Sequence, residues 1–369
     1  MGTTPICGAG RNAVQPLSPR VAPAGSSSLK SSSGSDRGKK RAKRVWESQS
    51  EASQGQGSGK LTVSMSGRSS LRTQTQDTAG NTVCLSIGVH VLKKYDVKAL
   101  IGRGSFSRVL RVESKTTKEL YALKIIEKQQ IEGNRYKVEL SILRQVRHPN
   151  VISLYEVFQS NNKVYMVLEL ATGGDLFDKI YTRGYFKEKQ GKKVIRMILN
   201  GIAYLHSMGI THRDLKLENL LYKYPGDDSQ IMISDFGLAH MRPSDGEGEG
   251  MSTTCGTAEY LAPEMLEGEV YTALIDMWAV GVITYVVLSA VMPFTDDSRA
   301  RVYQKIKMGQ YSFTGQVSDK RVCDKLILSH LAHKRQEFGV DAITGLAYWT
   351  GLLDSPKPSK MPHSVQDRS

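Results

Sequence analysis

An α+β fold, with a small sheet-rich half leading into a larger helical half, is what this sequence predicts, and three observations predict it. Around residues 121–126, Tyr121, Leu123 and Ile125 fall on one side of an extended segment, while Ala122, Lys124 and Ile126 fall on the other. Further on, Val194, Ile198, Ile202 and Leu205 recur at helical spacing and make an apolar stripe, with Gly209 as a natural stop. Strands come first and helices afterwards, the order that segregates helices to one end of a sheet rather than alternating them through it.

The elements follow in chain order. Residues 1–90 are rich in Ser, Gly, Gln and Thr, and Trp46 is their sole aromatic residue. Such a composition buries too little apolar surface to offset the entropy of ordering it, so the stretch is expected to be a disordered tail. Residues 95–353 then form one globular unit, with a sheet-rich part over 95–170 and a helical part over 171–353. Residues 354–369 are a short disordered tail. Within the first part, 134–146 has helical spacing through Val138, Ile142 and Val146. Residues 164–170 read as an apolar strand broken only by Glu169, with a turn at Gly173-Gly174. Pro225-Gly226-Asp227-Asp228 is a tight turn between two short strands, and 244–250, rich in glycine and acid, is a loop. Residues 277–294 carry no charge, yet hold Gly281, Thr284, Tyr285 and Ser289 and lie between Asp276 and Asp296. That pattern predicts a helix buried all round in a large core, not a membrane span. No internal repeat is visible.

Charge and cysteine bound the class. The 369 residues carry a formal net charge of +14, and residues 1–90 supply most of it, with twelve Lys and Arg against four Asp and Glu. The run Lys39, Lys40, Arg41, Lys43, Arg44 reads as a solvated tail, a nuclear-import signal or a patch for anionic surfaces. Neither zinc spacing nor an aromatic stacking platform accompanies it, so specific nucleic-acid binding is not expected. Cys7, Cys84, Cys255 and Cys323 are scattered without a CxxC pair, which implies neither a disulfide framework nor a zinc site. A reducing intracellular compartment fits, and no apolar secretory core opens the chain.

The chemistry sits in motifs. Ile101-Gly102-Arg103-Gly104-Ser105-Phe106-Ser107-Arg108-Val109 places two glycines two apart, so that a backbone turn can approach phosphate oxygens with no Cβ in the way. Lys124 shares a strand face with Ala122, and a lysine in an apolar strand needs a partner. Glu139, on the helix that follows, is that partner, and the pair would hold the ammonium against α- and β-phosphates. His212-Arg213-Asp214-Leu215-Lys216-Leu217-Glu218-Asn219 follows a helix end. Phosphoryl transfer needs a carboxylate to orient the attacking hydroxyl and take its proton, and cations to neutralise the moving charge. Asp214 fits the first role and Lys216 part of the second, while Asn219 can give an oxygen to magnesium. Sixteen residues beyond Asn219 stands Asp235-Phe236-Gly237, whose carboxylate is a hard ligand suited to Mg2+. Ala262-Pro263-Glu264 closes the loop that starts there. Four signals in this order and spacing point together to an ATP-dependent phosphotransferase.

At these residues the chain resembles the eukaryotic Ser/Thr protein kinases, over 95–315 and more weakly beyond. The resemblance implies a two-lobed fold with ATP between the lobes, Leu168 as gatekeeper, and adenine contacts from the backbone of Glu169 and Ala171. It also implies that Asp276 anchors the loop at Asp214, and that Leu143, Leu154, His212 and Phe236 stack in the active state. Lys216 and the Thr257 of Cys255-Gly256-Thr257 carry the Ser/Thr resemblance. Within the superfamily the chain looks like the calcium/calmodulin-dependent kinase group, and most like the protein serine kinase H family. Residues 99–109, 169–178 and 210–216 carry that likeness, which includes Ser107 in place of a third loop glycine.

The resemblance brings further expectations. Arg213, beside Asp214, implies a phosphate on the loop after Asp235, placed by an upstream kinase on Thr253 or Thr254, with Thr254 favoured by position and the acidic Glu247 and Glu249 as rivals. Asp175, also at the edge of the nucleotide site, and Glu218 match positions that receive an arginine upstream of the target in basophilic kinases. Ala258, Leu217 and the missing Trp-Pro after Gly315 depart from the pattern, and Arg335 is the candidate partner for Glu264. Gly2-Thr3 and Ile6 do not fit the acylation pattern of H-family relatives, so the expected location is cytoplasmic or nuclear, with an endomembrane site as the family's alternative. No basic amphipathic helix for calmodulin follows Leu353. The rival function is a pseudokinase scaffold, although Lys124, Asp214 and Asp235 are all present.

Overall fold

The computed structural model describes residues 62–65, 70–76, 82–104, 107–130, 135–242 and 250–311. The basic run at 39–44, Ser105 and Phe106 of the glycine loop, Glu247, Glu249, Arg335, the segment from 312 to 353 and the tail 354–369 lie outside the described residues.

Three strands precede the expected start of the fold: β1 (Thr62–Met65), β2 (Ser70–Gln76) and β3 (Thr82–Gly88). They make an antiparallel sheet in the order β1-β2-β3, inside the stretch that composition marked as lacking structure. The pairing sets Met65 opposite Leu71, Leu71 opposite Ile87 and Val63 opposite Thr73. A local period of two was therefore hidden beneath an average dominated by Ser, Gly and Gln. The short helix α1 (Val89–Lys94) then leads into the main sheet.

The main sheet has five antiparallel strands, β4 (Tyr95–Arg103), β5 (Ser107–Ser114), β6 (Leu120–Glu127), β7 (Leu154–Gln159) and β8 (Lys163–Glu169), in the order β4-β5-β6-β8-β7. Alternation on these strands feeds two cores. Leu110, Val112, Leu123, Ile125 and Val167 pack outward with Ile87 and Val91, while Ala122, Ile126, Val164, Met166 and Leu168 join the larger core. The helix α2 (Arg135–Gln145) buries Glu139, Leu140, Ile142 and Leu143. Val138, expected on the buried stripe, is exposed, because the helix turns Glu139 inward to meet Lys124.

The helical part follows: α3 (Leu176–Arg183), α4 (Glu188–Ser207), and the strand pairs β9 (Ile210–Thr211) with β12 (His240–Met241) and β10 (Leu220–Tyr222) with β11 (Ile231–Ile233). Then come α5 (Pro263–Glu267), α6 (Leu274–Ser289) and α7 (Arg299–Met308). The apolar stripe of α4 is buried as predicted, and Gly209 beyond it sits at φ +71°, which glycine adopts without strain. Every residue of α6 from Ile275 to Ser289 is buried, so its all-round apolar character belongs to the core. No helix among the described residues is long and apolar enough to cross a membrane.

Candidate active site

The site lies where β6, α2, the segment from β9 to β10 and the turn after β11 meet. Lys124 sits mid-β6, and its Nζ donates to Glu139 Oε1 at 2.6 Å and to Asp235 Oδ1 at 2.9 Å. Burial alone would lower the lysine pKa, but the Glu139 and Asp235 carboxylates outweigh it and hold it above the ordinary value. The Lys124 ammonium in turn draws Asp235 down to about 2, against the opposing pull of burial, so that Asp235 is ionised at any physiological pH.

The second cluster is built on the loop after β9. Lys216 Nζ donates to Asp214 Oδ2 at 2.8 Å, and Thr257 Oγ1 donates to Asp214 Oδ1 at 2.9 Å while accepting from Lys216 Nζ at 3.1 Å. Asn219 Nδ2 donates to the Asp214 carbonyl at 2.8 Å, which leaves its amide oxygen as the acceptor end. The two clusters face one another: the charge of Lys216 contributes to the acidity of Asp235. They are also joined through backbone, since Ser234 N donates to the Asn219 carbonyl at 2.9 Å. Lys124, Asp214 and Asp235 therefore converge on one crevice.

What holds the loop is buried. Asp276, on α6 and 1 % exposed, accepts from the backbone N–H of His212 at 2.8 Å and of Arg213 at 2.9 Å. His206 at the end of α4 adds its Nε2 at 2.9 Å. Arg213 and Asp235 both take positive φ, 66° and 62°, a conformation that costs non-glycine residues and clusters at functional sites. His212 packs edge-on against Phe236 with ring centroids 5.1 Å apart, and Leu143 and Leu154 are buried in the same core.

The remaining expected residues border this crevice. Ile101 and Val109 are half-buried against the large core, and Gly102 lies so close to Val109 that a Cβ would meet it at 3.3 Å. Gly104 N donates to the Ser107 carbonyl, and the Arg108 guanidinium folds back onto the Gly104 and Ser107 carbonyls at 2.8 and 2.7 Å, while Arg103 is exposed. Ala122 and Leu168 are paired across β6 and β8, with Glu169 ending β8 and Ala171 just beyond it. Asp175 caps α3, accepting from Asp178 N at 2.7 Å; burial, reinforced by the Asp178 and Glu218 charges, raises its carboxyl to about 7. Burial likewise raises Glu218, whose Oε2 is buried without a hydrogen-bond partner.

On the loop that ends at Ala262, Thr253 and Thr254 are exposed. Thr254 Oγ1 donates to the Met265 carbonyl at 3.0 Å, whereas the Thr253 carbonyl accepts from Tyr271 Oη, itself 3.4 Å from Arg213. Thr253 is thus the one linked to Arg213. Glu264 is pushed up by burial, and its expected partner Arg335 lies outside the described residues. Sequence reasoning missed Tyr271, His206 and Lys223. None stands within a motif, and only the folded chain brings Lys223 Nζ to 2.7 Å from Glu169 Oε1.

Comparisons with known proteins identify the family. The protein kinase domain family model matches residues 95–336. Over 227 residues the chain is 58 % identical to the serine/threonine-protein kinase H1 homolog of Danio rerio, covering 61 % of this chain and 54 % of the relative. It is 49 % identical over 251 residues to serine/threonine-protein kinase H2 of Homo sapiens, covering 66 % and 65 %. Over 248 residues it is 41 % identical to calcium/calmodulin-dependent protein kinase type 1 of Caenorhabditis briggsae, covering 65 % and 68 %. The chain spans about half the length of the H1 relative it matches.

Proposed function

We propose a function for a chain that belongs to the protein kinase domain family: it transfers the γ-phosphate of ATP to Ser and Thr hydroxyls of protein substrates. The observation that carries this reading is the crevice in which Asp214, bonded by Lys216 and Thr257, faces the Lys124–Asp235 pair. Asp214 orients the substrate hydroxyl and accepts its proton as the oxygen attacks phosphorus. Lys216 balances charge on the phosphoryl group in flight, and Thr257 fixes both side chains. Lys124, kept cationic by its two carboxylates, holds the α- and β-phosphates.

The donor set suits magnesium. Asp235 is an ionised carboxylate and Asn219 keeps an amide oxygen that is not used by its bond to the Asp214 carbonyl, two hard oxygen donors of the kind Mg2+ takes. When bound there, the ion would supply positive charge that offsets the charge on the phosphates.

The substrate reading rests on carboxylates. Glu218 lies close enough to Asp175 for its charge to help raise the Asp175 pKa, and the unpartnered Glu218 Oε2 is an acceptor awaiting a cation. This supports a preference for Arg about three residues before the target. Phosphorylation of the loop near Arg213 is supported by Thr253, tied through Tyr271 to that guanidinium.

Transfer of radiolabelled phosphate from ATP to a basic Ser peptide, compared between wild type and Asp214→Asn, tests the activity. Label in the wild type and its loss in the variant are expected; no label above background in either would leave a binding scaffold as the answer.

A further inference from the structure

Lys223 stands directly after β10. Its ammonium lies 2.7 Å from Glu169 Oε1, with the two side chains 30 % and 12 % exposed. Glu169 is the last residue of β8, and the three residues after it lead the chain out of the sheet into the helical part. The ion pair therefore spans the junction between the two halves, joining the end of the main sheet to the β10–β11 hairpin.

The other side of the junction is fastened to the same hairpin. Thr172 donates to the Lys223 carbonyl through both its N–H, at 3.0 Å, and its Oγ1, at 3.1 Å. Gly173 N donates to the Tyr222 carbonyl, and Tyr222 N to the Gly174 carbonyl. The fit is close, since a Cβ at Gly173 would meet the Tyr224 carbonyl oxygen at 2.2 Å. Residues 172–174 are thus held by three backbone bonds and the Thr172 hydroxyl. Glu169, at the other end, reaches the hairpin only through its side chain, and Lys223 is the group it reaches. Hydrogen bonding by Glu169 raises the pKa of the lysine, so the contact is between charges.

We propose that Lys223 is a positioning residue for the nucleotide: its ion pair with Glu169 fixes the segment 169–171 against the helical part, and so pre-sets the backbone that would receive the adenine. This rests on the reading that the crevice takes ATP. Glu169 is fixed to the main sheet by its pairing with Tyr121 and its N–H bond to the Ser153 carbonyl. Without Lys223 the end of that sheet would be held to the hairpin through residues 172–174 alone, and nucleotide binding would then bear the ordering of one half against the other. A partly exposed pair with one well-buried carboxylate predicts a modest effect, about threefold in affinity.

A double-mutant cycle on the full chain tests it, with the dissociation constant for magnesium-ADP measured by titration calorimetry and melting followed in parallel. Lys223→Met and Glu169→Gln should each weaken nucleotide about threefold. The double variant should be no weaker than either alone, because the pair acts as a unit. Lys223→Arg should restore binding, and the KM for a peptide substrate should stay unchanged throughout. Affinity equal to wild type in folded Lys223→Met, or additive losses in the double variant, would overturn the brace while leaving the kinase reading intact. A wild-type chain that binds no nucleotide would overturn both.

Discussion

Replacing Thr257 by valine removes one hydroxyl and keeps the branched shape. That hydroxyl donates to Asp214 Oδ1 at 2.9 Å and accepts from Lys216 Nζ at 3.1 Å, so it is the link that locks carboxylate and ammonium together. Asp214 is 10 % exposed at its side chain, and water cannot readily replace the lost donor. A hydrogen bond to a charged group is worth about 1.5–3 kcal/mol, which corresponds to a fall in kcat of roughly ten- to 150-fold. Lys216 remains on Oδ2 at 2.8 Å, so activity should fall without vanishing. The assay is steady-state phosphorylation of an arginine-containing peptide at saturating ATP, with thermal melting to check the fold. Thr257→Ser, which restores the hydroxyl, should recover most of the rate. A kcat for Thr257→Val within twofold of wild type would refute the claim that this bond organises the reacting carboxylate.

Two further outcomes follow from the same contacts. The folded Asp175 carboxyl, raised by burial from 3.8 to about 7, binds its proton more tightly than an unfolded aspartate does. Its contribution to stability must therefore decline as pH climbs from 3.8 to about 7, then level off. Asp175→Asn keeps a good cap for α3 and removes the titration, so the difference in melting temperature between variant and wild type should widen over that window; a pH-independent difference would contradict the burial argument. Gly173→Ala drives a Cβ into the Tyr224 carbonyl oxygen and the Tyr222 Cβ, contacts of 2.2 and 2.6 Å against atoms that have little room to yield. Overpacking of this kind costs about 1–3 kcal/mol, visible as a drop of several degrees in melting temperature.

Much of the site was legible in the linear chain because its chemistry is local. Asp214, Lys216 and Asn219 lie within six residues, and their mutual bonds are short-range consequences of one loop. Lys124 announced a partner by being a charge in an apolar strand, and Glu139 answered at 2.6 Å. The helix stripe was less dependable: periodicity alone put Val138 inside, whereas the demand of Lys124 for a counter-charge turned Glu139 inward instead. Strands β1 to β3 escaped notice because the compositional bias of their surroundings masked a period of two.

By itself the sequence determined the α+β class and the order of the halves, and it named the candidate reacting groups, since each rests on residue type and spacing within a few turns of chain. Only the tertiary structure decided which distant residues meet: Asp276 under the Asp214 loop, Tyr271 between Thr253 and Arg213, and Lys223 against Glu169. Apart from the bond between Tyr271 and Thr253, those contacts join points more than fifty residues apart. No local pattern encodes them, because their formation depends on how two buried cores pack and not on the preferences of any one segment.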